Sequence, residues 1–398
     1  MTTFDRRELL RATAAAGAVV AAGCSGRDGA TGGRDDGPTP DESGVAFEVE
    51  TVTEGLENPW AVAFLPDGDA LVTERRGRLR RLDPTDGTID ELGGVPEVYA
   101  SGQGGLLDVA HHPSYPDPPW VYLTYAARNA SGESTTHLGR GRLEPGTGRL
   151  SGFETLHAAE PFVDSTQHYG SRVAFGPDGM VYVTVGDRGS KEFGPGHVSQ
   201  DTATELGSTL RLAPDGSVPE DNPFLEAPDA ADAVFSYGHR NCQGLTVRPG
   251  TDELWVSEHG ERDGDELNVV ERGGNHGWPI AHYGCNYGTD DPVCDRPDER
   301  NDTVEPAYYW PCGSGGFPPA GMTFYTGDAF PAWRGDLFVG NLAGRYLGRF
   351  TVDEGVEAAG ALLEGREWRI RDVSVGHDDR LYVAVDAGDA PIVRLTPA

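Results

Sequence analysis

From residue 46 to residue 398, apolar residues fall into short alternating runs, each broken by a Pro/Asp/Gly turn and answered by a second run rich in Val, Leu and Tyr. Ala61-Val-Ala-Phe-Leu-Pro-Asp-Gly leads into Ala70-Leu-Val-Thr, Leu107-Asp-Val-Ala-His-His-Pro into Val121-Tyr-Leu-Thr, and Val173-Ala-Phe-Gly-Pro-Asp-Gly into Val181-Tyr-Val-Thr. Leu245-Thr-Val-Arg-Pro-Gly then precedes Leu254-Trp-Val-Ser, Met322-Thr-Phe-Tyr precedes Leu337-Phe-Val-Gly, and Val373-Ser-Val-Gly-His-Asp-Asp precedes Leu381-Tyr-Val-Ala. A period of two places successive side chains on opposite faces, so each copy reads as a β-hairpin. Further strands follow in most copies, such as Arg78-Leu-Arg-Arg-Leu and Thr209-Leu-Arg-Leu. A lone hairpin is barely stable in water, and repeated sheets set radially around a channel protect its edges. The pattern predicts an all-β chain, a six-bladed β-propeller of four-stranded antiparallel sheets averaging about 59 residues per blade. A sandwich or barrel is the rival architecture. The longest insertions, around 186–235 and 258–315, are expected as loops on one face, where a rigid scaffold carries function.

The first 45 residues break the pattern. Paired arginines in Asp5-Arg6-Arg7-Glu8-Leu9-Leu10 precede a short apolar run that ends in Ala21-Ala22-Gly23-Cys24. The run is too short to span a bilayer as a helix. Residues 1–24 resemble a twin-arginine export signal with a lipobox, with Cys24 as the lipidated residue. Residues 25–45, rich in Gly, Asp, Pro and Ser, read as a disordered tether to a 46–398 propeller domain. The expected location is exported, at the cell surface, held by a lipid anchor at Cys24.

Charge narrows the partners. Sixty-four acidic residues against 32 basic ones give a net charge of −32, and Lys191 is the single lysine. Such a surface repels nucleic acid, so no nucleic-acid partner is expected, and dense carboxylates suit a salt-adapted, halophilic protein. Export makes disulfides plausible. Apart from Cys24 the cysteines are Cys242, Cys285, Cys294 and Cys312. Cys285 and Cys294 flank a short polar loop, which favours pairing them and leaves Cys242 with Cys312. No CxxC signals a structural zinc site.

Several motifs carry chemistry. They are Gly102-Gln103-Gly-Gly-Leu-Leu-Asp, Gln167-His168-Tyr-Gly-Ser-Arg172, Val185-Gly-Asp-Arg-Gly, Asp221-Asn-Pro-Phe and Tyr237-Gly-His-Arg240-Asn241-Cys-Gln-Gly. Glu258-His-Gly-Glu-Arg-Asp-Gly-Asp265-Glu266-Leu-Asn268, Gly274-Asn-His-Gly-Trp-Pro and Trp368-Arg369-Ile-Arg371-Asp372 follow. Arg369 and Arg371 alternate on one strand face, and two guanidinium groups together call for an anion. Glu258, Glu261, Asp263, Asp265 and Glu266 crowd hard oxygen ligands that suit Ca²⁺. An imidazole can accept a proton near neutral pH, which makes His168 the candidate base. In this order the motifs, spanning about residues 50–397, resemble the soluble aldose sugar dehydrogenases (glucose/sorbosone type) that use pyrroloquinoline quinone (PQQ).

That resemblance implies oxidation of an aldose to its lactone, with His168 as general base and hydride passing to a Ca²⁺-activated quinone. Reduced cofactor would deliver its electrons to an external acceptor. Gln103, Arg240, Asn241, Tyr287, Arg369 and Arg371 fall at cofactor-contacting positions. Backbone carbonyls at Gly260 and Glu261 fall where the family holds calcium at the quinone. Glu266 with the carbonyl at His276 resembles a separate structural calcium site. His239 reads as a scaffold hydrogen-bonder. The chain also departs from the family. Gln167 stands where some members have Asp, Cys242 and Glu261 each replace a usual Pro, and Ala343 stands where some members have a cofactor-binding Lys, with Arg345 as its candidate substitute. These departures keep two alternatives open: a non-catalytic carbohydrate- or protein-binding propeller, and a Ca²⁺-dependent lactonase-type propeller hydrolase.

Overall fold

The computed structural model describes residues 39–40 and 44–398; residues 1–24, expected to be an export signal ending in Cys24, lie outside the described residues. Each hairpin of the sequence pattern forms the inner two strands of one blade. The blades comprise Pro59–Phe64, Ala70–Glu74, Arg78–Leu82 and Ile89–Leu92; Leu106–His111, Trp120–Arg128, Ser134–Arg142 and Ser151–Ala158; Val173–Phe175, Val181–Val185, Ser208–Leu212 and Val234–Tyr237. The next two are Cys242–Val247, Leu254–Glu258, Glu266–Val269 and Tyr308–Tyr309; and Pro319–Phe324, Leu337–Asn341, Leu347–Val352 and Val356–Leu362. The sixth takes Ile370–Val375, Leu381–Val385 and Ala390–Pro397 from the chain's end and Ala46–Leu56 from its start. Phe47 pairs with Pro397 and Leu56 with Ala390, so the two termini close the ring in one sheet. The two-residue strand Thr39–Pro40 adds to that edge, making the sixth sheet five-stranded.

Burial explains why second strands read as continuous apolar runs. Ala70–Glu74, Val181–Val185, Leu254–Glu258, Leu337–Asn341 and Leu381–Val385 are buried throughout, because both faces pack against neighbouring blades. The Thr or Ser that ends several of these motifs fastens one blade to the next. Thr73 Oγ1 donates to the Leu107 carbonyl at 2.5 Å, Thr124 to Ser171 at 2.6 Å, Thr184 to Cys242 at 3.2 Å and Ser257 to Ala320 at 2.8 Å. First strands pack side by side around the axis, and the ring closes from Ile370–Val375 onto Pro59–Phe64. There Arg172 lies between Asp372 (2.9 Å) and Asp108 (3.6 Å) and over the Trp60 ring, filling the channel with a buried ionic plug.

The antiparallel meander fixes which loops share a face. Segments joining second strands to third strands, including 186–207 and 259–265, lie at the end where the first strands begin. The segment 213–233 joins a third strand to a fourth and so belongs to the other end. The insertion 270–307 also leaves from that other end, but an Arg262–Cys285 bridge ties it to loop 259–265.

Candidate active site

At the end where first strands begin and second strands finish, all six blades contribute to a cavity of about 250 Å³. Gln103, Gly170, Asn241, Pro318 and Arg369 each stand just before a first strand; Arg75, His259, Leu342 and Asp386 each stand just after a second strand. Trp60, Leu107, Gln243 and Arg371 add to the wall from within first strands. One structural position, repeated around the ring, therefore aims six sets of side chains at one space.

His168 sits immediately before the cavity-lining Tyr169 and Gly170 and is itself buried. Its φ of 45° is a conformation that non-glycine residues seldom adopt. Two contacts hold it: its amide donates to Gln103 Oε1 at 2.7 Å, and its Nδ1 lies 2.6 Å from Asp187 Oδ1. Gly186 permits this approach, since a Cβ there would meet the His168 carbonyl at 2.3 Å. Asp187 is fixed in turn by the Gly189 amide (2.8 Å) and Trp278 Nε1 (2.9 Å). Burial alone would raise the Asp187 carboxyl, but His168 and Arg240 bring it below its ordinary value. A charged carboxylate at Nδ1 places the ring proton there and leaves Nε2 as the lone-pair nitrogen. Nε2 makes no hydrogen bond among the described residues.

Positive charge dominates the cavity wall, where Arg75, Arg369 and Arg371 face one carboxylate, Asp386. Arg371 Nη2 reaches Asp386 at 3.0 Å and Nη1 reaches Gln243 Oε1 at 3.0 Å, while its buried Nε has no partner. Arg369 reaches the same carboxylate at 3.4 Å. The two arginines do share a face, but their first anion is internal. Burial opposes ionisation of Asp386, yet Arg371 and the Asn58 amide hold it at about 2. Asn241, also on the wall, accepts from the Gly170 amide at 3.2 Å.

Arg240 is not on that wall. It is buried, contacts Glu261 Oε2 at 2.8 Å, stacks over Trp278 and leaves its Nε unpartnered. Glu261 also binds Lys191 Nζ at 2.5 Å, so the residue replacing a proline clamps the chain's single lysine to Arg240. Lys191 lies over the ring of Tyr287, which is 65% exposed and stands outside the cavity lining. Ala343 lines the cavity. Arg345 does not take the place of a lysine there: it is exposed and bonded to Glu367.

Metal-binding expectations fall in two places. Gly260 and Glu261 are buried in loop 259–265, where the Gly260 amide donates to Asp265 Oδ1 at 2.9 Å. Neither of their carbonyls accepts a hydrogen bond among the described residues. Glu266 is buried in the third strand of the fourth blade, paired opposite Glu258. His276 is buried, stacks on His239 at 4.4 Å and leaves both ring nitrogens unpartnered.

The cysteine pairing differs from expectation. Cys285 bonds Cys312 with Cα atoms 5.4 Å apart, while Cys242 and Cys294 are free. The reason is the route of the neighbouring chain. The Cys312 amide donates to the Tyr283 carbonyl at 3.0 Å, which brings residue 312 alongside 285. Cys242 is enclosed within the fourth blade, out of reach of that loop.

The Glucose / Sorbosone dehydrogenase family model matches residues 56–394. The chain belongs to the glucose/sorbosone dehydrogenase family. It is 35% identical over 355 residues to aldose sugar dehydrogenase YliI of Escherichia coli, covering 89% of this chain and 94% of the relative. It is 32% identical over 260 residues to quinoprotein glucose dehydrogenase B of Acinetobacter calcoaceticus, covering 60% and 53%. The apo form of the soluble aldose sugar dehydrogenase from Escherichia coli matches with a TM-score of 0.82 at 34% identity, covering 88% of this chain and 100% of that one. The PQQ-bound aldose sugar dehydrogenase from Streptomyces coelicolor matches with a TM-score of 0.71 at 31% identity, covering 88% and 98%.

In this glucose/sorbosone dehydrogenase family member, sequence reasoning missed Trp60, Arg75, Asp187, Gln243, His259 and Asp386. A usable signal was present. Arg75, Asp187, His259 and Asp386 all fall within two residues of the end of a second strand. Once six repeats are aligned, that position in every repeat is a site candidate.

Proposed function

We propose that the protein oxidises an aldose at its anomeric carbon to the lactone, with PQQ as cofactor, Ca²⁺ at the quinone and an external electron acceptor. The observation that carries this reading is His168, its Nδ1 held by Asp187 and its Nε2 free, beside a cavity walled by three arginines. The residues present suit a flat polycarboxylate. Arg371 Nε and Arg240 Nε are buried donors without partners. Arg369, Arg371, Arg240, Asn241 and Gln103 would hold the cofactor's carboxylates and ring edge. The free carbonyls of Gly260 and Glu261 would hold Ca²⁺, and the Glu261 carboxylate adds a hard oxygen nearby. Glu266 and His276 would hold a second, structural Ca²⁺. When bound, the quinone supplies a two-electron acceptor for the hydride leaving the sugar carbon.

The chain's own residues supply the proton chemistry. His168 Nε2 takes the hydroxyl proton, and Asp187 stabilises the imidazolium that results. Burial of both groups keeps water away from the proton. Reconstitution with PQQ and Ca²⁺, followed by dye reduction with aldoses, tests the reading. Turnover with a quinone absorbance change is expected; the absence of both quinone binding and turnover would overturn it. We also read residues 1–24 as an export signal and Cys24 as a lipid anchor that keeps the enzyme at the cell surface near its acceptor. Cys24→Ala should release the protein from the membrane fraction, and retention there would contradict the anchor.

A further inference from the structure

The fourth blade holds a buried polar cluster that the proposed sugar chemistry does not use. Cys242, on the first strand, pairs opposite Glu258 on the second, and Glu258 pairs opposite Glu266 on the third. Cross-strand partners share a sheet face, so one thiol and two carboxylates stand in a row. His239 joins them from the turn before the first strand. All four side chains are at least nine-tenths buried. Among the described residues the ion pairs of Glu258 and Glu266 run only to imidazoles, His239 and His282. Glu258 in particular is a deeply buried carboxylate whose side chain meets no arginine or lysine side chain among the described residues.

From this arrangement we infer that His239, Cys242 and Glu258 form a site for a borderline-soft divalent metal ion of the zinc class. The ligand atoms already stand near the edges of a coordination tetrahedron. Cys242 Sγ is 3.6 Å from His239 Nδ1 and 3.4 Å from Glu258 Oε2, and His239 Nδ1 is 2.9 Å from the same oxygen. Zinc bond lengths of about 2.3 Å to sulfur and about 2.0 Å to nitrogen and oxygen give tetrahedral edges of about 3.5 Å to sulfur and about 3.3 Å between nitrogen and oxygen, so an ion needs the 2.9 Å His239–Glu258 contact to open by about 0.4 Å. Thiolate, carboxylate and neutral imidazole around a divalent ion sum to zero charge, which suits a site closed to water.

The surrounding groups are those a metal ligand needs. His239 Nε2 meets Ser236 Oγ at 2.9 Å, which fixes the ring with Nδ1 toward the cluster. Glu258 Oε1 accepts the Arg240 amide, leaving Oε2 for the ion. Two unpartnered polar side chains border the cluster. His276, stacked on His239, has both ring nitrogens unsatisfied, and Asn268, which donates to Glu266, has a buried Oδ1 without a donor. A thiolate ligand separates this site from the oxygen-ligand calcium site discussed for Glu266 and His276. The absence of a CxxC does not count against it, because the strand pairing, not local spacing, assembles the ligands.

Metal analysis tests the site without quinone or sugar. The full chain, produced with both Zn²⁺ and Ca²⁺ present and dialysed against excess Ca²⁺, should retain one zinc per molecule. Chain refolded with Co²⁺ should show a thiolate-to-cobalt charge-transfer band. Cys242→Ser should lose both signals, Cys294→Ser should keep both, and Ser236→Ala should weaken zinc affinity roughly 10- to 100-fold. Three results would each overturn the inference: wild-type protein with neither zinc nor the cobalt band, Cys242→Ser retaining them, or calcium displacing the zinc. If Cys242→Ser proves unfolded by circular dichroism, the wild-type cobalt spectrum decides alone.

Discussion

The 2.6 Å contact between His168 Nδ1 and Asp187 assigns the imidazole proton, and with it the direction in which His168 can act. Asp187→Asn keeps the volume but removes the charge that favours this tautomer. In the reconstituted enzyme it should lower kcat by about 10²- to 10⁴-fold with little change in KM. An unchanged kcat in steady-state assays would show that Asp187 is not needed to orient the base. Asp386 gives a prediction about pH. Its folded value of about 2 lies below the ordinary 3.8, so the charged carboxylate stabilises the fold. That contribution is complete above about pH 4 and vanishes as pH falls through 2, and linkage puts it at ~2 kcal/mol. Urea unfolding of Asp386→Asn should therefore show a deficit at pH 7 that closes near pH 2. His168, Arg369 and Arg371 could be read from motifs because their chemistry is carried by short spacings. The roles of Asp187 and Asp386 could not be read that way, because their partners lie 19 and 15 residues away and meet them through blade geometry; only their shared place after a second strand marks them.

Strand identity followed from alternating first runs and continuous apolar second runs, because five of the six second strands are buried throughout and each turn between them carries Pro, Asp or Gly. The closure by Ala46–Leu56 was not readable, since its partner Ala390–Pro397 lies at the far end of the chain. A chain beginning after Leu56 leaves that partner as an open edge, and it should be insoluble or lack a cooperative melt. A soluble chain with wild-type melting would show that the closing strand is dispensable. The Cys285–Cys312 link was misread because loop length suggested a local pair while the backbone brings residue 312 to residue 283. Its 27-residue separation corresponds to about 3–4 kcal/mol of chain entropy. Cys312→Ser should increase proteolysis within 270–307 while the blades stay intact, as followed by limited digestion.

Across the whole molecule, function and charge separate. The cavity wall is cationic inside a chain with a net charge of −32. Repulsion among surface carboxylates is screened over about 10 Å at 0.1 M salt and about 3 Å at 1 M. Salt adaptation therefore predicts a Tm that rises steadily toward molar KCl, and a salt-independent Tm in calorimetry would contradict it. The propeller gathers single residues from six blades at one end, which makes a small site robust to changes in any one loop. We propose that these residues bind a quinone and that His168 then removes the sugar's proton. The most direct test titrates wild-type and His168→Ala protein with PQQ in Ca²⁺ by absorbance, then adds an aldose and an artificial acceptor. Both proteins should bind the quinone equally, and His168→Ala should turn over about 10²- to 10⁴-fold more slowly than the wild type. Undiminished turnover in His168→Ala, or no quinone binding by the wild type, would contradict it.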